Sequence, residues 1–224
     1  IYANYKDVEV VETADYVDRL PSNTRDMYKN GLDIFGMELK LSKDEAYPIR
    51  SYVLFEAIEE EKSLDPFSTL IETLSRVKKE EHLWIQYVIR PAERDWQKKG
   101  EKFVKELKEK GISKARVAGS AEDMVTISRS PGETANLEAV ERNLSKAGFE
   151  TVIRSMYFAP RSIFNTQLPQ RGVRSTFNQY AWLNRFSYNL NVWTLVWWGY
   201  FPFFFPKLRA EARKQSILLV AQGQ

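Results

Sequence analysis

Cysteine is absent from the 224 residues, and histidine occurs once, at His82. Without a thiol there is no disulfide, no thiolate metal site and no cysteine nucleophile, and the composition fits a reducing compartment. His82 has no second imidazole or thiol with which to share a metal, so a structural or surface role is expected for it. The phosphate-cradling patterns G-x-x-x-x-G-K-[ST] and G-x-G-x-x-G are missing, as is the G-x-S-x-G nucleophile elbow. The acids of "EAIEEEK" (56–62) are consecutive in a charge run. A hard cation needs converging oxygens, so a solvated face is the expectation there. No positively charged segment followed by an apolar stretch marks a signal peptide near Ile1. The chain begins with isoleucine rather than methionine, which leads us to expect a fragment of a longer protein. No long apolar run is present either. A membrane-spanning helix needs about 20 apolar residues. Residues 192–206 are uncharged but shorter than that, and Pro202 and Pro206 interrupt them.

What is there is ordinary in bulk and asymmetric in detail. Hydrophobic residues make up 43% and charged residues 28%, enough for a real core. The net charge of +3 hides an uneven distribution. Residues 151–224 hold nine Lys/Arg against one acid, Glu211, while the first 150 residues hold 24 basic and 29 acidic side chains. The same last third carries 16 of the 30 aromatics. A basic, aromatic end on an acidic body suits a polyanion, a membrane face or a protein partner, or simply solvates an exposed segment.

Along the chain, "DVEVVET" (7–13) is β-branched and reads as a strand. Residues 17–33, with Pro21, Ser22, Asn23, Asn30 and Gly31, read as a loop. "IFGMELKLS" (34–42) alternates, with Phe35, Met37, Leu39 and Leu41 on one side and Glu38, Lys40 and Ser42 on the other, as a half-buried strand does. Asp65 and Pro66 open a helix in which Phe67, Leu70, Ile71, Leu74 and Val77 form the apolar stripe. "HLWIQYVI" (82–89) is apolar on both faces and so is expected to be central in its sheet. Residues 93–110 form an amphipathic helix around Trp96, Phe103, Val104 and Leu107, stopped by Gly111. Residues 115–130 read as a linker and a short strand at 124–128. "SPGE" (130–133) is a capping box, with backbone N–H groups that could equally hold a phosphate. The helix it opens buries Leu137, Val140 and Leu144, and "FETVIRSMYFA" (149–159) is the next strand.

Residues 49–91 and 130–160 thus share an order: capped helix, tight turn, apolar strand, proline. The expected fold class is α+β, with duplicated ferredoxin-like (split βαβ) units. Their mixed or antiparallel sheet would be covered by helices, with an irregular aromatic C-terminal segment after it. The expected division is 1–112, 113–160 and a basic, aromatic-rich 161–224, the first two able to pack as one domain. In the last part, 174–186 is expected to be a helix with Phe177, Ala181 and either Leu183 or Tyr180 inward. Arg171, Arg174, Phe177, Tyr180, Trp182 and Arg185 interleave basic and aromatic groups, a mixture that binds single-stranded nucleic acid or a partner. A partly buried amphipathic helix would show the same pattern. Trp193, Trp197, Trp198, Phe203, Phe204, Lys207 and Arg209 are candidates for contact with a membrane surface or a partner.

Six strings, taken in order, carry a resemblance. They are "IYANYKDVEVVETADYV", "MELKLSKDEAYPIRSY", "DPFSTLIETLSRVKKEEHLWIQYVIRP", "DWQKKGEKFVKEL", "PGETANLEAVERNLSKAGFETVIRSMYFAP" and "RAEARKQSIL". The chain resembles the N-terminal portion of large membrane-associated proteins of candidate-phyla (Patescibacteria-type) bacteria. Those proteins are labelled as type IV secretion, conjugative DNA-transfer-like ATPases, and the portion itself is a domain of unknown function. The resemblance covers the chain to about residue 160 and returns at 207–218. It implies a transmembrane segment and a β-rich stretch upstream and a P-loop motor downstream. The aromatic run 192–206 departs from the polar linker that the resemblance would put there. No catalytic residue carries over, because the catalytic motifs of the proteins it resembles are not in this span.

The expectation is therefore a non-catalytic assembly domain on the cytoplasmic side of the cell membrane. No cofactor, metal or small-molecule substrate is expected. The expected partners are further copies of the chain or other translocation subunits, with a nucleic-acid-binding module on 171–188 or a peripheral membrane-binding domain as alternatives.

Overall fold

Apolar alternation makes residues 32–41 a strand, and both of its faces end up covered. Phe35, Met37 and Leu39 join one buried cluster, while Ile34 joins another on the opposite side. The computed structural model describes residues 8–15, 17, 20–56, 67–110, 112–116, 123–127, 129–195 and 205–223. In chain order the elements are α1 (Thr24–Lys29), β1 (Leu32–Leu41), α2 (Tyr52–Glu56), α3 (Ser68–Ser75), β2 (His82–Pro91), α4 (Arg94–Lys110), β3 (Ile112–Arg116), β4 (Asp123–Ile127), α5 (Pro131–Leu144) and β5 (Phe149–Pro160). A wide π-type segment (Leu168–Val173) then leads into α6 (Arg174–Asn178), β6 (Phe186–Tyr188) and α7 (Pro206–Ala221).

The class is α+β, with one four-stranded sheet in the order β2-β5-β1-β6, every neighbour antiparallel. β5 lies between the mutually parallel β1 and β2, and β1 lies between the mutually parallel β5 and β6. That is the strand order of a single split βαβ pair. The expected duplication is corrected here: the two helix–strand copies feed one sheet. The strand at 123–127, expected to begin a second unit, pairs instead with 112–116 as a hairpin. This hairpin, flanked by α4 and α5, is an insertion between β2 and β5. α5 opens with the expected capping box: Ser130 Oγ accepts from the Glu133 N–H at 3.3 Å, and the Ser130 N–H donates to Glu133 Oε2 at 2.8 Å.

Other local expectations need correcting. Residues 8–13 form no strand and lie exposed, and among the described residues no strand lies beside them to take their hydrogen bonds. Residues 24–29, expected as loop, form α1, whose N-cap Asn23 accepts from the Asp26 N–H at 2.9 Å. The helix expected over 174–186 stops at Asn178. Past it, the chain is drawn aside to let Asn184 reach residues 43–47.

Each face of the sheet has its own cover. On one face, Phe35, Met37, Ile153 and Tyr157 pack against Val173 and Phe177. α3 crosses the same face, and its buried Thr73 lies against Gly172, where an added Cβ would meet Thr73 Cγ2 at 2.3 Å. On the other face, Ile34, Met156 and Phe158 pack against Met27 of α1 and Ile217, Leu218 and Ala221 of α7. Gly36 lets α7 approach, since a Cβ there would lie 2.2 Å from Ile217 Cδ1. The Gly36 backbone also bonds sideways to Thr194, whose Oγ1 accepts from the Gly36 N–H at 3.1 Å.

Asn184 is 1% exposed and saturates its amide. Its oxygen accepts from the N–H groups of Lys43 and Arg185, and its nitrogen donates to the carbonyls of Lys43, Asp44 and Tyr47. It holds the loop after β1 against the strand that becomes β6.

Two predictions come from this packing. Gly36→Val forces Ile217 off the sheet, and overpacking of this kind costs about 1–3 kcal/mol; thermal unfolding should show the loss, and Ile217→Ala in the same chain should recover part of it. Asn184→Ala orphans several buried backbone groups and should cost about 3 kcal/mol in chemical denaturation. Asn184→Asp should recover less than half of that, because it keeps the acceptor and loses the donors.

Candidate interaction surface

The helix α3 carries apolar side chains on two arcs. Leu70, Thr73 and Val77 turn toward the sheet, while Phe67, Ile71 and Leu74 are 56%, 61% and 41% exposed. The apolar stripe read at helical spacing is therefore divided between the two arcs. Residues 67, 71 and 74 are spaced by four and three, so they form one line along the helix.

The strand β2 is the second part of the surface. Among the described residues it lies at the edge of the sheet, which corrects the expectation of a central strand. Tyr87, Val88 and Ile89 are 50%, 47% and 59% exposed, and the neighbouring Phe149 of β5 is 60% exposed. Two apolar faces do not make a strand central; they show only that both faces avoid water. Between α3 and β2 opens a cavity of about 350 Å³, lined by Ile49, Phe67, Leu70, Tyr87, Phe177 and Phe186 among others. Its polar groups are few. Thr176 donates to the Gly172 carbonyl at 3.2 Å, and burial pushes the Tyr87 phenol up. Such a lining is mainly apolar and supports apolar contact.

The residues expected to meet nucleic acid are divided between core and surface. Phe177 is 5% exposed, inside the first cluster. Tyr180 is half-buried, edge-on to Phe55 at 5.6 Å. Arg174 lies over the Tyr188 ring, 4.9 Å from its centroid. Arg171 and Arg185 are exposed, and Trp182 is 46% exposed. The structure brings these six into one region without lining their rings up as a stacking platform. Of the residues expected at a membrane or partner, Trp193 is half-buried and stacks on Tyr188 at 5.2 Å. Lys207 and Arg209 are exposed on the first turn of α7. Trp197, Trp198, Phe203 and Phe204 lie outside the described residues. His82 is exposed at the start of β2, and of the "EAIEEEK" acids only Glu56 is described. Among the described residues no three His, Cys, Asp or Glu side chains converge, and no helix is long and apolar enough to cross a membrane.

Charged groups do converge between α1 and α7, in a cluster that no motif in the sequence announced. The Tyr28 hydroxyl donates to Glu211 Oε2 at 2.7 Å, and Lys214 Nζ donates to Asp33 Oδ1 at 2.6 Å and to the Tyr28 oxygen at 3.3 Å. The Arg161 guanidinium covers the Tyr28 ring at 4.4 Å. Each of these charges has a partner, so the cluster clamps the two ends of the chain together. Burial, then the bond to Glu211, pushes the Tyr28 phenol well above its usual range. A raised phenol stabilises the fold below the ordinary tyrosine value of about 10 and loses that contribution as pH climbs beyond it. Tyr28→Phe should flatten the fall in melting temperature at alkaline pH, and the 295 nm absorbance should show one tyrosine fewer in the late-titrating group.

Comparison with known proteins adds a family and no activity. A family model described as Domain of unknown function (DUF8128) matches residues 1–181. No curated protein and no solved structure matches the chain. The matched span takes in every element through α6, while β6 and α7, which complete the sheet edge and the second core, lie beyond it. Matched over most of its length, the chain belongs to the family of this domain of unknown function, DUF8128.

Proposed function

We propose that the chain is a non-catalytic assembly domain that docks its protein onto further copies of itself or onto other subunits of a larger complex. The observation that carries this reading is the apolar surface of α3 and the α3-side face of β2, where Phe67, Ile71, Leu74, Tyr87 and Ile89 are all more than 40% exposed. Exposed apolar groups gathered on one side of a domain mark interaction surfaces. The resemblance to the N-terminal portions of type IV secretion-like ATPases gives the reading its setting: the cytoplasmic side of the cell membrane, beside a translocation motor. The nucleic-acid and lipid alternatives are weaker. The rings they need at Phe177 and Trp193 are committed to the first core cluster.

A photo-crosslinking amino acid at position 71, in cells that express the full-length protein from its own gene neighbourhood, tests this. A control probe replaces Lys98, 76% exposed on α4. We expect discrete crosslinked species from position 71, recovered with the membrane fraction, and none from position 98. Failure of position 71 to crosslink, with the protein free of the membrane fraction, would overturn the proposal.

A further inference from the structure

The strand β2 has the sequence of an inner strand and the position of an outer one. Seven consecutive residues, Leu83 to Ile89, carry no charge, and apolar side chains point to both faces. Its inner edge pairs with β5 over ten residues, while among the described residues no strand pairs with its outer edge. Proteins usually guard such an edge with a charge in mid-strand, a bulge or a short strand. Here the guards sit only at the ends, as His82, Arg90 and Pro91.

The geometry points to a second copy of this chain as the missing neighbour, with two β2 edges pairing antiparallel about a two-fold axis at Tyr87. The inference rests on the assembly reading above and names its surface and register. Opposed residues in such a pair share a face, so only registers that oppose residues of the same parity are allowed. Centring on Gln86 would set His82 against Arg90, two basic groups. Centring on Val88 would leave the first three residues of each strand unpaired. Centring on Tyr87 engages residues 83–91 of both copies. Tyr87 then meets its own counterpart, Ile85 meets Ile89, and Trp84 meets Arg90, which is held at 2.7 Å by Glu150 of its own sheet. Aromatic pairs, β-branched pairs and a cation over an indole are the cross-strand contacts that favour pairing. A neutral strand whose residues match in this register, Gln86 against Val88 excepted, suits an isologous dimer better than a charged peptide. On the α3 face, the Tyr87 pair would stand at the mouth of the cavity lined by Phe67 and Leu70. The result is one continuous eight-stranded sheet.

The test uses the full chain and exploits its lack of cysteine. Light scattering should find a concentration-dependent dimer between about 1 and 100 μM, a range that covers ordinary specific association. Under mild oxidation, Tyr87→Cys alone should give a disulfide-linked dimer. Ile85→Cys should link to Ile89→Cys when the two variants are mixed, and neither should link to itself. Ile89→Lys, at an exposed position, should raise the dimer Kd by about tenfold or more while the circular dichroism melt stays close to that of the parent. Val10→Asp with Val11→Asp in one chain should leave the dimer intact. Loss of the dimer in that variant would overturn the inference in favour of the N-terminal segment as the added strand. A dimer that withstands Ile89→Lys and is not linked by Tyr87→Cys would overturn it in favour of another surface. A monomer at every concentration would overturn it outright. The assembly reading would still stand if the position-71 probe crosslinks a different protein, so the two ideas fail separately.

Discussion

The fold depends on β5. Its twelve residues supply hydrogen bonds to β1 on one side and β2 on the other, and its side chains alternate between the two cores. Ile153, Tyr157 and Ala159 enter the core under α3 and α6, while Met156 and Phe158 enter the core under α1 and α7. Because the side-chain period of a strand is two, a slip of one residue would exchange the two sets. The cost would be felt at once, since Met156, Tyr157 and Ala159 are all 0% exposed.

The second core is closed by the chain's two ends. α7 reaches the sheet only because Gly36 has no side chain, and it is fixed there by polar contacts with α1. The Thr24 N–H donates to Gln215 Oε1 at 2.9 Å, and Gln222 Nε2 donates to the Pro21 carbonyl at 3.1 Å. Lys214 and Asp33 are 17% and 15% exposed, so their ion pair is far better shielded than Lys29–Asp26 or Lys98–Asp95 at the surface. The consecutive elements α1 and β1 therefore stand or fall with α7, which is distant from both in sequence. The family match stops at residue 181, yet the sheet edge and this core are completed only by β6 and α7, both C-terminal to that point.

The proposed role arises from the surface that these cores leave uncovered. α6 and the π-type segment cover β1 and the inner half of the first face, and α3 extends the cover only partly toward β2. The outer arc of α3 and the last half of β2 remain in water with side chains that avoid it. Folding alone does not account for a stretch such as Tyr87-Val88-Ile89 at a sheet edge; the proposed association would, because burial of apolar area is the main favourable term in both.

Local signals were legible where the physics is local. The capping box at Ser130–Glu133, the alternation of 34–41, the helix over 94–110 and the strand from 149 were readable, since each depends on neighbours a few residues away. Strand partners were not. The sequence by itself determined that 82–89 avoids water on both faces; only the tertiary structure decided that it lies at an edge. The β-branched run at 8–13 likewise had the composition of a strand and, among the described residues, no partner to make it one. Asn184 shows the same limit in the site's neighbourhood: nothing in "WLNRF" tells that its amide will hold residues 43–47, because contacts across some 140 positions of chain are fixed by topology. Sequence sets which side chains need cover and which backbone conformations are easy. Which surfaces receive that cover depends on long-range pairing, whose hydrogen bonds are chemically identical at every register and carry no mark in the sequence.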